Sequence, residues 1–175
     1  MNLKQIQEYV VRPALKYINA HSEAAEQLLM GTITQESGGD FIKQIGGGPA
    51  MGIVQMEPAT HGDLWENFIR FRPGLRDKLQ SLASYRNPGA AVPMADELVF
   101  NLWYAVAMAR VHYLRQKEPL PKAGDVVGMA NYWKRYYNTE HGKGKPSEFL
   151  EQFPYQLFQL PRVESSACES HKESS

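Results

Sequence analysis

The clearest candidate for chemistry in this sequence is an acidic residue, Glu36, at the end of an apolar helical stretch. At about 100° per residue, Glu36 falls on one side of a helix together with Ala25, Leu29, Thr32 and Ile33. Burial and the negative end of the helix dipole both disfavour an ionised carboxylate, so both raise the pKa of Glu36. A carboxylic acid that stays protonated near neutral pH can serve as a general acid, for example in glycosidic cleavage. The alternative is that Glu36 frays into solvent at the helix terminus.

Three further residues could complete a site around this acid. Ser37 can hydrogen-bond a carboxylate or a backbone group, Gly52 allows a sugar chain to approach the backbone closely, and Gln55 offers a donor and an acceptor to a sugar hydroxyl or N-acetyl group. Each also has a plainer interpretation: a helix-end serine, a bulge and an exposed strand residue.

The order of two short motifs carries a resemblance. ESGG at residues 36–39 is followed by AMGIVQ at residues 50–55. The pair resembles the lytic transglycosylases and goose-type lysozymes of the lysozyme superfamily, whose Glu-Ser at a helix end precedes a Gly-Leu-Met-Gln-like motif; here Val54 replaces the methionine. The resemblance implies a mostly α, lysozyme-like α+β domain with a small β-hairpin or extended loop after the catalytic helix. It also implies cleavage of the β-1,4 bond between N-acetylmuramic acid and N-acetylglucosamine in peptidoglycan.

The family's third motif, Ala-Tyr-Asn, has two possible counterparts in ANYWKRYYN at residues 130–138. Tyr132 follows the alanine but with the asparagine and tyrosine reversed, whereas Tyr137 and Asn138 keep the dipeptide without the alanine. The resemblance implies a tyrosine that hydrogen-bonds the catalytic carboxyl, and we favour Tyr137 because Tyr-Asn is intact. The alternative is that these aromatic residues only pack the core and the surface.

The number of carboxylates separates two enzymatic mechanisms. A hydrolase normally needs a second carboxylate, and Asp40 and Asp63 are the nearest in sequence. Members of the family resembled that are lytic transglycosylases use one glutamic acid, which protonates the leaving oxygen and then deprotonates the muramoyl 6-hydroxyl to close a 1,6-anhydro ring. Because only Glu36 is well marked, we expect a lytic transglycosylase. The alternatives are a lysozyme-type muramidase and an inactive lysozyme-like module of a virion or secretion machine.

Composition excludes several other classes of function. The 175 residues carry 19 basic and 19 acidic side chains, so no overall charge favours nucleic acid. The single cysteine, Cys168, and the scattered histidines predict neither a metal site nor a cofactor. No apolar run approaches about 18 residues and no signal peptide is recognisable, so we expect a protein made in the cytoplasm that acts on the cell wall without membrane insertion. A phage lysis or virion protein fits this expectation, with other virion or secretion proteins as partners.

The elements that must position these residues are predicted to be helices. We expect one domain over residues 1–160 and a polar, disordered tail over residues 161–175. Ser22 should cap the helix that ends at Gly38 and Gly39, and Asp125 and Ser147 should cap two later helices. The remaining predictions are a first helix with a kink or restart at Pro13, helices beginning at Pro58 and Pro73, a long central helix over residues 94–117, and short β-prone segments over 41–45 and 50–56.

Overall fold

The computed structural model describes residues 1–40, 48–84, 91–138 and 142–164. Helices form nearly all of the regular structure in these ranges, which contain no β-strand. The α-helices are α1 Leu3–Ile6, α2 Arg12–Tyr17, α3 Glu23–Ser37, α4 Pro58–Asn67, α5 Pro73–Leu82, α6 Glu97–Phe100, α7 Leu102–Leu114, α8 Val126–Trp133 and α9 Pro146–Gln152. Short 3-10 helices span Ile69–Phe71 and Tyr155–Phe158. The mostly helical class is thus confirmed. No helix in the described ranges has both the length and the apolar character needed to cross a membrane.

The first helix passes through Pro13 without stopping. α1 continues through a π-helical segment, Gln7–Val11, directly into α2. Proline has no backbone N–H for the carbonyl four residues earlier, and the wider π winding just before Pro13 accommodates that missing bond. The irregularity predicted at Pro13 therefore lies in the preceding turn.

α3 begins and ends where the sequence predicts. The Ser22 hydroxyl accepts a hydrogen bond from the N–H of Ala25 at 3.1 Å, which caps the first turn. At the other end, Gly38 and Gly39 have φ angles of 63° and 74°, the left-handed conformation that favours glycine and terminates a helix. Glu36 therefore lies in the last turn of α3.

The predicted central helix is broken into two. α6 and α7 are separated at Asn101, whose side-chain oxygen accepts from the N–H of Tyr104 at 3.0 Å and whose amide donates to the carbonyl of Leu82 at 2.7 Å. Asparagine competes well as an N-cap, so one uninterrupted helix was a wrong prediction. α7 is nevertheless the central helix, because every residue from Tyr104 to Tyr113 is buried.

The third motif lies where helical geometry changes. Asp125 caps α8 as predicted, accepting from the N–H of Gly128 at 2.8 Å, and α8 runs on into a π-helical segment, Lys134–Asn138. The prediction that Ser147 caps the last helix is wrong. α9 begins at Pro146, and the Glu148 carboxylate accepts from the N–H of Lys145 at 2.9 Å, so the cap lies two residues before Ser147.

The region after α3 contains a tight turn closed by a single antiparallel β-bridge. Met51 and Met56 exchange two backbone hydrogen bonds, of 2.9 and 3.0 Å. Within the described residues this bridge does not extend into strands, so the predicted hairpin is not found there. Residues 41–45, predicted to be β-prone, and residues 165–175 of the predicted tail lie outside the described residues.

The core holds the C-terminal half of α3 among α7, α8 and α9. Gly31 allows the closest approach, since a β-carbon at this position would lie 2.3 Å from the ring of Phe149 on α9. Packing on three sides fixes the direction of the last turn of α3, and hence of Glu36.

Candidate active site

A cleft with a volume of about 1130 Å³ opens beside the last turn of α3. Most of its lining comes from three parts of the chain, the end of α3, the turn over residues 50–57, and the region from α8 to α9, and Thr60 of α4 and His112 of α7 complete it. Of the predicted site residues, Glu36, Ser37, Gln55, Tyr137 and Asn138 line the cleft, whereas Gly52 and Tyr132 do not.

Glu36 is half-buried in the wall of the cleft. Its Oε1 accepts a hydrogen bond from the indole Nε1–H of Trp133 at 2.8 Å. Burial raises the pKa of Glu36 to about 7, and the hydrogen bond from Trp133 opposes that rise because it stabilises the ionised form. The predicted direction of the shift agrees with the structure, and the carboxyl is partly protonated at neutral pH.

Trp133 is the site residue that the sequence analysis missed. Its side chain is 1% exposed and packs on Phe149 with the ring centroids 5.6 Å apart. Trp133 lies between the two candidate tyrosines in sequence, and its spacing of four from Tyr137 is the one helical signal that could have indicated a shared face. Nothing in the sequence indicated that the indole, and not a tyrosine hydroxyl, would reach Glu36.

The two candidate tyrosines separate clearly. Tyr137 lines the cleft, and its hydroxyl donates to the carbonyl of Val54 at 2.7 Å. Burial, together with the nearby Glu36 charge, raises the pKa of Tyr137 well above its usual value. The Tyr132 hydroxyl donates to the carbonyl of Glu118 at 2.8 Å, outside the cleft. Tyr137, the favoured candidate, thus lines the cleft, but its hydroxyl anchors the turn and does not reach Glu36, so the predicted hydrogen bond to the carboxyl is wrong.

Ser37 joins α3 to the same turn. Its buried hydroxyl donates to the carbonyl of Ile53 at 2.7 Å and accepts from the N–H of Gly39 at 3.1 Å. With Tyr137 bound to Val54, two neighbouring carbonyls of the turn are held from opposite walls. Ser37 and Tyr137 therefore act through the backbone that shapes the cleft.

Gly52 is needed for the backbone packing of the turn and not for contact with a sugar. Its φ angle is 72°, and a β-carbon there would lie 2.0 Å from the carbonyl oxygen of Leu98. The close approach predicted for a glycan is thus made by the protein's own backbone, which corrects the role given to Gly52. Gln55 has a φ of 47°, and its amide donates to the carbonyl of Gly52 at 2.8 Å while the side chain lines the cleft.

Asn138 and His112 complete the described wall near Tyr137. The Asn138 side-chain oxygen accepts from the ammonium of Lys134 at 2.8 Å. His112 is 8% exposed, lies edge-on to Tyr137 with the ring centroids 5.1 Å apart, and bonds the carbonyl of Tyr136 through Nε2 at 2.6 Å. Burial lowers the pKa of His112, so the imidazole is neutral at neutral pH.

The two aspartates considered for a second carboxylate lie in different places. Asp63 is outside the cleft, where it bonds Asn67 at 2.7 Å and pairs with Arg115; the Asn67 hydrogen bond and then the Arg115 interaction lower its pKa. Asp40 lines the cleft and pairs with the amino group of Met1. Only Asp40 of the pair is therefore placed to face a ligand.

In the described part of the chain, no three His, Cys, Asp or Glu side chains are grouped to hold a metal ion. No protein-family model, curated protein or solved structure matches the chain.

Proposed function

We propose that this protein cleaves the β-1,4 bond between N-acetylmuramic acid and N-acetylglucosamine in peptidoglycan, with Glu36 as the only catalytic carboxyl. The observation that carries the proposal is a half-buried glutamic acid in the wall of a cleft of about 1130 Å³, with its pKa raised to about 7. A general acid works best when its pKa lies near the working pH. The Glu-Ser and Gly-x-x-Gln motifs that meet at this cleft support a lysozyme-like domain of the lytic transglycosylase type.

The raised pKa suits a group that must act twice. Glu36 first donates its proton to the glycosidic oxygen as the bond to the muramoyl C1 breaks. The resulting carboxylate then takes the proton of the muramoyl 6-hydroxyl as that oxygen bonds C1, so Glu36 returns to its starting form and a 1,6-anhydro ring closes. The indole N–H of Trp133, 2.8 Å from Oε1, stabilises the carboxylate between the two steps. Attack by the substrate's own hydroxyl is intramolecular, which gives it an entropic advantage over water.

One observation favours a second candidate, a lysozyme-type muramidase. Asp40 lines the same cleft and could serve as the second carboxylate that a hydrolase needs to activate water. Asp40 is exposed, however, whereas Glu36 is half-buried in the wall of the cleft, so we favour the single-carboxylate mechanism.

The products distinguish these candidates. Purified peptidoglycan treated with the protein should release 1,6-anhydromuramoyl ends, each lighter by one water than a reducing end and unreactive to borohydride, as measured by mass spectrometry. Asp40→Asn should keep most of the activity, and Asp63→Asn is its matched control outside the cleft. Reducing ends together with an inactive Asp40→Asn would establish the muramidase. Absence of any product would favour the remaining alternative, an inactive lysozyme-like module.

A further inference from the structure

The charge of the cleft is strongly one-sided. Besides Glu36 and Asp40, the described lining residues include three more carboxylates, Glu57, Glu148 and Glu151, against one lysine, Lys143. A second ammonium, that of Lys134, lies at the same wall and is bonded to the lining residues Asn138 and Gly142, so carboxylates still outnumber cations. None of those three makes an ion pair with another described residue. A cleft lined by one sign of charge focuses the field and raises the local concentration of oppositely charged ligands.

The same wall also holds buried hydrogen-bond acceptors that have no donor in the described part of the chain. A carbonyl can only accept, so His112 must donate its Nε2–H to Tyr136, and its Nδ1 carries a lone pair. That buried Nδ1 and the buried Oε1 of Gln35 have no hydrogen-bond partner among the described residues. Both residues line the cleft, so the unmatched buried side-chain atoms behind this wall are acceptors. Two acceptors without donors add negative potential to that of the carboxylates.

We propose that the cleft selects glycan segments that carry ammonium groups over neutral or anionic segments. In a cell-wall polymer this chemistry has two sources: sugars whose 2-amino group is not acetylated, and stem peptides that end in a free amine. The inference rests on the proposed function only in treating the cleft as a glycan site, because it concerns binding and not cleavage.

A matched pair of soluble oligosaccharides tests the selection without any cleavage. The Glu36→Gln variant is titrated calorimetrically, at about pH 5.5, with the β-1,4 hexamer of N-acetylglucosamine and with the same hexamer fully de-N-acetylated. Charge pairs between the amino groups of the sugar and the exposed carboxylates of Glu57, Glu148 and Glu151 should together make the amino hexamer bind about tenfold more tightly at about 0.02 M salt. The preference should shrink at about 0.3 M salt, because exposed charges are then screened.

Substitutions locate the effect. A triple variant that adds Glu57→Gln and Glu151→Gln to Glu36→Gln should lose most of the preference for the amino hexamer. Glu66→Gln, an exposed glutamate of α4 outside the cleft, should leave it unchanged. Circular dichroism of each variant establishes that it is folded before the titrations are compared. Equal binding of the two hexamers at low salt, or a preference that the double substitution leaves intact, would overturn the inference.

Two natural strands identify the source of the ammonium. One is a stem-free glycan with de-N-acetylated sugars, and the other is a fully N-acetylated glycan whose stems end in a free amine. Tighter binding of either strand than of a neutral, stem-free strand supports the inference and names the source, and no difference for both contradicts it. Failure of the proposed function would look different, since the wild-type protein would then bind but release no product.

Discussion

The first and last turns of α3 carry glutamates with opposite properties. Glu26, in the first turn, is 4% exposed, and its carboxylate receives hydrogen bonds from Gln7, Arg12 and His21. Burial acts to raise the pKa of Glu26, but Arg12 and then His21 and Gln7 outweigh it, so the pKa is lowered. Glu36, in the last turn, has one neutral donor in the described part of the chain, Trp133, and its pKa rises to about 7.

The difference teaches that burial alone does not make a catalytic acid. The same helix supplies both residues, and its dipole favours a negative charge at Glu26 and disfavours one at Glu36. The partners then decide the outcome: a cation and two further donors hold Glu26 ionised as a structural anchor, whereas Glu36, with only the Trp133 indole as a donor from the residues described, can gain and lose a proton.

The largest expected effect comes from removing the proton of Glu36. Glu36→Gln keeps the size and an acceptor for Trp133 but cannot transfer a proton, so we expect cleavage of peptidoglycan to fall by about 10³-fold or more. Release of soluble muropeptides measures this loss. Glu26→Gln is the matched control, since the folded fraction of that variant should cleave at nearly the wild-type rate. Wild-type-like cleavage by Glu36→Gln would show that the acid lies elsewhere.

A second effect should appear in stability as a function of pH. A carboxyl whose pKa is raised from 4.5 to about 7 on folding binds more protons when folded, so its contribution to stability is present below pH 4.5 and is lost as pH rises to about 7. The loss amounts to at most about 3 kcal/mol. Relative to wild type, the unfolding free energy of Glu36→Gln should therefore increase as the pH is raised from 4.5 to about 7. Urea denaturation of both proteins over this pH range measures the difference. A difference that does not change with pH would mean that the pKa is not raised.

A third effect concerns the anchor at the other end of α3. Glu26→Gln leaves Arg12 without its ionic partner, and we expect the unfolding free energy at pH 7 to fall by about 2 kcal/mol, less than for a fully buried pair because Arg12 is partly exposed. Because the pKa of Glu26 is lowered in the fold, this contribution is present above its unfolded pKa and is lost as pH falls through its folded pKa. Denaturation at pH 7 and at about pH 3 measures both, and an equal deficit at the two pH values would argue against the anchor.

The smallest expected effect belongs to Trp133. Trp133→Phe removes the one donor to Glu36 among the described residues, which destabilises the carboxylate and should raise the pKa of Glu36 by about one unit. The alkaline limb of the pH profile of cleavage should move upward accordingly. Phe149→Leu, which disturbs the packing on Trp133 but keeps the indole N–H, should leave that limb in place. A downward shift in Trp133→Phe would contradict the assigned role of the indole.

Local signals were sufficient for most helix boundaries. Ser22 and the glycine pair after Ser37 delimit α3 because capping groups and left-handed glycines act over a few residues. The break at Asn101 and the start of α9 at Pro146 were missed for a related reason. An apolar periodicity that continues through Asn101 conceals its cap, and Ser147 is a good cap residue by type but lies one residue inside a helix that proline has already begun.

By itself, the sequence determined the helical class and the position of Glu36 in the last turn of α3, on the side of the apolar residues; it predicted a raised pKa only for the case in which that carboxyl is buried. These follow from spacing, capping and burial, which are local properties. Only the tertiary structure decided which groups surround that carboxyl. Trp133 is 97 residues away along the chain, and its indole reaches Oε1 because α8 packs beside α3. The tertiary structure also brought Gly52 against the carbonyl of Leu98 and brought the carboxylates of the cleft together from distant segments. Such contacts depend on how the helices pack against one another, and no pattern within a single helix encodes them.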